Sequence, residues 1–167
     1  MSNDNGIILR WTVMVTGLFL LQVGFLNEMR ILGVHPEIML LVSVCAGLVA
    51  GPERGAGVGF FCGLLVDLTL YGSLGVTALS LTVVGFVVGV VEESVIRATK
   101  VLSVIIAVVA SFVGVLLYAA LSELLGAHSL TDPNLWSIVG IVGILNGIMC
   151  VPVLALARRA EGARLAY

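Results

Sequence analysis

A succession of apolar stretches, separated by short and mostly charge-poor breaks, limits this chain to few folds. The apolar runs fall at about 8–26, 37–50, 56–70, 76–91, 101–125 and 135–157. A helix of roughly 20 apolar residues crosses the ~30 Å hydrocarbon layer of a bilayer. The pattern therefore predicts an all-α integral membrane protein: one polytopic domain over 1–167, with about six transmembrane helices in a compact bundle. The second and third runs are short, and full crossings are favoured over a shallow hairpin. Charge supports this solvent. Only 11% of residues are charged, against about 25% in soluble domains, and mean hydropathy is +1.19. Too few charges exist to clothe a water-facing surface of this size.

The breaks carry turn chemistry and an orientation signal. Gly51-Pro52-Glu53-Arg54-Gly55 predicts a tight turn, and residues 131–134 (Thr-Asp-Pro-Asn) predict an N-cap for the last helix. With six spans, one side of the membrane holds Arg10, Arg54, Arg97, Lys100, Arg158, Arg159 and Arg164, and the other holds only Arg30. Basic residues gather on the cytoplasmic side, so both termini are expected there. Arg97, Lys100, Arg158 and Arg159 read as basic anchors to anionic headgroups of the lipid bilayer. A net charge of −2 argues against nucleic acid as a partner. The first run is too long for a cleavable signal and is read as a retained span.

Chemistry-bearing residues are few. Glycines at 47, 51, 55, 59 and 63 recur every four residues, and Asp67 takes the next step. Side chains four apart share a helix face, and small residues at that spacing let membrane helices approach closely. Gly55, Gly59, Gly63 and Asp67, with Gly85 and Gly89 on the next helix, form a candidate face for helix packing or partner docking. Gly143 and Gly147 repeat the spacing in the last run. Asp67 is the sole charged residue between Gly55 and Val91. Three roles are open to it: holding helices by hydrogen bonds, touching a partner, or handling a proton or solute. Glu123 and Asn146 are the other intramembrane polar candidates. Cys45, Cys62 and Cys150 lack metal or redox spacing and read as small packing residues. His35 and His128 fall in breaks. No HExxH, GxSxG or Walker A pattern occurs, so no catalytic residue, metal or cofactor is expected.

The run Gly59-Phe60-Phe61-Cys62-Gly63-Leu64-Leu65-Val66-Asp67-Leu68, then Gly72-Ser73-Leu74-Gly75, resembles the signature of the rod shape-determining protein MreD family. Pro36-Glu37 resembles that family's Pro-acidic pair, with Glu37 where Asp is commoner and Ser73 where Pro is common. The resemblance implies a non-catalytic scaffold of the bacterial cell-elongation complex in the cytoplasmic (inner) membrane, supporting side-wall peptidoglycan synthesis and rod shape. It implies an MreC-like membrane partner within a wider complex of MreB, RodA and a penicillin-binding protein. It also implies a fold similar to the substrate-binding subunits of energy-coupling-factor transporters. The alternative is a vitamin-binding subunit of such a transporter. That role needs a pocket of convergent polar groups, for which Asp67, Thr69, Tyr71, Glu123 and the surroundings of His128 are the available residues. A proton-coupled carrier would need polar groups at mid-depth, where only Asn146 qualifies.

Overall fold

In hydrocarbon every backbone amide must find its partner inside the protein, which leaves an apolar chain the helix as its local solution. The computed structural model describes residues 2–26, 37–69, 75–94, 100–126 and 135–162, and the regular structure among them is helical. Helix α1 (Ser2–Leu21) runs on into a π-helical turn (Gln22–Leu26). It is followed by α2 (Ile38–Thr69), α3 (Val76–Ser94), α4 (Lys100–Leu124) and α5 (Leu135–Glu161). Each of the five contains a segment long and apolar enough to cross a membrane. The helices outrun the apolar runs at several ends, with α1 starting at Ser2 and α5 reaching Glu161. Backbone bonding continues beyond the hydrophobic length, so hydropathy alone misplaces such ends.

The expected second and third spans appear as the two helical arms of α2, 38–50 and 52–69, which meet at a kink. Gly51 alone departs from helical geometry, with φ 83° and ψ −178°. That left-handed φ suits glycine, which has no Cβ to clash. Helical bonding resumes at once at Pro52, which has no N–H to leave unsatisfied in a first turn. The reversal therefore needs no loop, and the two arms fold back on each other. A methyl group on Gly55 would stand 2.8 Å from the Gly47 Cα, and one on Gly59 would stand 2.6 Å from the Ser43 Oγ. Eight residues of continuous helix would separate Gly47 from Gly55 by about 12 Å. The first arm, 38–50, rises only about 20 Å by its length, short of the ~30 Å hydrocarbon layer.

That first arm is the centre of the bundle. Every residue from Ile38 to Leu48 is buried, as expected of a helix apolar on all sides. The other helices surround it and turn apolar side chains outward. Val101, Ile105, Val109 and Val113 make an exposed stripe along α4, and Ile144, Ile148 and Val151 do the same on α5. The buried polar residues include Ser43, Ser80, Ser103, Ser111 and Asn146. An apolar exterior around a partly polar interior suits lipid as the surrounding medium. This is a multi-pass helical membrane protein.

Candidate functional site

The four-residue glycine repeat puts bare backbone on one face of α2, and α3 lies directly on it. A methyl on Gly47 would come within 2.5 Å of the Gly85 carbonyl oxygen. On Gly55 it would overlap the same carbonyl, on Gly59 that of Leu81, on Gly63 the backbone of Ala78, and on Gly85 the carbonyl of Gly55. Gly89 sits against the backbone of Gly51 and Pro52. Contacts this short exclude any side chain, so the helices meet backbone to backbone. All six glycines are buried by the chain itself. The face is therefore covered from within the chain, by α2 and α3 lying on each other. Ser43, central and fully buried, donates from its Oγ to the Leu81 carbonyl at 2.7 Å, fastening the first arm to α3.

Asp67 closes this interface at the far end of the second arm. It is 5% exposed, and its carboxylate accepts from three backbone amides. Gly75 N lies 2.8 Å and Ala78 N 3.1 Å from Oδ2, and Thr77 N lies 3.3 Å from Oδ1. These amides are among the orphan donors at the start of α3. The Gly75 carbonyl already accepts from Leu79 N at 2.9 Å, so Gly75 occupies the cap position. It carries no side chain with which to cap, and its φ is 96°. Asp67 supplies the missing oxygens from the neighbouring helix. Its acceptor oxygens also face the positive end of the α3 dipole.

Two further fasteners pin the central arm. The Gln22 side chain, in the π-helical turn, accepts from Met39 N at 3.1 Å, satisfying an amide in the first turn of α2. Asn146 is fully buried and donates from Nδ2 to Ser111 Oγ at 3.0 Å and to the Glu37 carbonyl at 3.4 Å. This links α5 to α4 and to the residue before α2. Asn146 Oδ1 is buried with no hydrogen-bond partner among the described residues. Glu123 is half-buried in the last turn of α4.

At the opposite end, Glu161 joins three helices. Its Oε2 accepts from Trp11 Nε1 at 2.9 Å, and its Oε1 pairs with Arg54 Nη1. Arg158 is half-buried and Arg159 exposed in the last turn of α5, where positive charge suits the helix dipole. Lys100 opens α4. Arg97, Tyr71, His35, His128 and the predicted cap at 131–134 lie outside the described residues.

Sequence reasoning passed over Gln22, Ser43 and Glu161. Ser43 alone left a signal, one four-residue step before Gly47. Cys45 and Cys150 lie beside each other in the core, and Cys150 also approaches the Ser103 carbonyl at 3.8 Å. Grooves among the described residues include one of about 660 Å³ between α1 and the second arm of α2, one of 550 Å³ between α1 and α5, and one of 270 Å³ between α3 and α4. Their walls are chiefly apolar, and Asp67, Glu123 and Asn146 line none of the three.

In this geometry the polar side chains are used to hold helices together. A family model described as rod shape-determining protein MreD matches residues 4–160, from the first turn of α1 to the last turn of α5. No curated protein and no solved structure matches the chain. The match spans nearly the whole chain, and the chain belongs to the rod shape-determining protein MreD family.

Proposed function

We propose that the protein is a non-catalytic scaffold of the rod-shape machinery in the bacterial inner membrane, crossing it about six times with both termini in the cytoplasm. The family match over residues 4–160 carries this reading. The two arms of α2 serve as the second and third crossings. The clustering of Arg10, Arg54, Arg158 and Arg159 at the end that also holds the Glu161 contacts supports the orientation. The protein receives the single membrane helix of an MreC-like partner. Through it the protein joins a wider assembly of MreB, RodA and a penicillin-binding protein that builds side-wall peptidoglycan. Gly55, Gly59, Gly63, Gly85, Gly89 and Asp67 form the rigid core behind the docking surface, because α2 and α3 cover that face themselves. The partner meets the outward apolar faces instead.

Depleting the protein in its own host tests the role. Rod cells should round up, and the wild-type chain should restore them. Cells that stay rod-shaped after depletion would refute the assignment.

A further inference from the structure

We infer that the groove between α1 and α5 is a binding site for an anionic phospholipid, with the phosphate held by Arg10 and Arg159. The inference rests on the membrane reading of the fold and is independent of the rod-shape role. The groove measures about 550 Å³, and Val13, Gly17, Leu18 and Leu156 form its apolar wall. Arg10 and Arg159 border the groove chiefly through their aliphatic stems, which leaves their charged ends at its rim. Both side chains are exposed. The Arg10 guanidinium reaches across to the end of α5, with Nη1 3.4 Å from where a Gly162 side chain would begin. The two charges thus lie at the same end of the groove.

Charge complementarity selects the occupant. Neither arginine has an ion pair with a described carboxylate. Glu161, two residues beyond Arg159, has both oxygens engaged by Trp11 and Arg54. A partner helix of ordinary apolar composition would offer the two guanidiniums no acceptor. A phosphate diester satisfies both, since arginine forks match phosphate oxygens. The groove runs eight residues along α1 from Arg10 to Leu18, about 12 Å of helix. That is close to one leaflet's share of the ~30 Å hydrocarbon layer, so an acyl chain hanging from a headgroup at the arginines fits along the wall.

Native mass spectrometry of the full chain, released from micelles holding equal amounts of phosphatidylglycerol and phosphatidylcholine, tests this. Two headgroup-facing charges should enrich bound phosphatidylglycerol by on the order of tenfold. The double variant Arg10→Gln/Arg159→Gln should lose most of this enrichment, since the remaining basic residues lie outside the groove. Gly17→Leu keeps both charges and places a side chain where no atom lies within 4 Å. It should lower the retained phosphatidylglycerol several-fold by filling the groove. Unchanged melting temperatures separate loss of the site from loss of the fold. Parity of the two lipids in the wild type, or persistence of the preference in the double variant, would overturn the proposal. So would wild-type retention by Gly17→Leu, which would put the lipid on exposed charge alone.

Discussion

The interface between α2 and α3 and the seam along α1 are built on opposite principles. In the first, backbone touches backbone and polar caps fill the few gaps. Gly55 and Gly85 exclude even a methyl group, and Asp67 completes the start of α3. In the second, α1 buries Trp11 and Val15 but leaves Ile8, Leu9, Val13 and Leu20 exposed, and grooves open on both its flanks. In lipid, helices gain little from hiding apolar surface from each other, so stability comes from close packing and hydrogen bonds. The α2–α3 pair has both in quantity. The α1 seam has few, and its open flanks are where other molecules have room to bind.

The largest effect should come from forcing a side chain into the tight interface. Gly59→Leu drives carbon into the Leu81 carbonyl, and overpacking against fixed backbone should cost about 3 kcal/mol or more. Fluorescence-detected size exclusion should show loss of the folded peak. A monodisperse variant with wild-type melting would show that the contact is loose.

Next comes the cap. Asp67→Ala strands three amides and should cost about 2–3 kcal/mol, while Asp67→Asn keeps one acceptor oxygen and should cost roughly half that. Thermal unfolding in one detergent ranks the three proteins. Equal melting of Asp67→Ala and wild type would remove capping from the account.

The α1 seam should respond less. Glu161→Ala releases Trp11 and Arg54 together. The ion pair is partly exposed, so about 0.5–1 kcal/mol is expected. Trp11 emission should shift in a Trp136→Phe background, and an unchanged spectrum would mean that Glu161 does not hold α1.

The smallest effect sharpens the contrast. Gly57 lies between Gly55 and Gly59 in sequence but faces open space. Gly57→Ala should be neutral or stabilising by up to about 1 kcal/mol, through helix propensity. A marked loss of melting temperature there would show that something covers this side of α2.

The sequence carried much of this architecture, for reasons that can be located. Membrane spans are readable because transfer into lipid sums over local residues. The four-residue glycine repeat is readable because helix geometry makes periodicity into a face. Gly51-Pro52 was readable as a turn. That the reversal takes one residue, with helix resuming at Pro52, was not readable, because it depends on how closely the two arms pack afterwards. Asp67 stood out for its isolation. Its role as a borrowed cap follows from Gly75, whose missing side chain matters only once α2 and α3 are adjacent.

By itself, then, the chain determined its solvent, its helical content and the stripe of small residues, all of which are local sums or local periods. Tertiary structure decided which way the stripe faces and which polar groups meet. Ser43 finds Leu81 across 38 residues, Asn146 finds Ser111 across 35, and Glu161 finds Trp11 across 150. No local rule selects partners so distant. They are chosen because buried donors and acceptors in lipid have no water to fall back on, and the packing settles which of them come within reach.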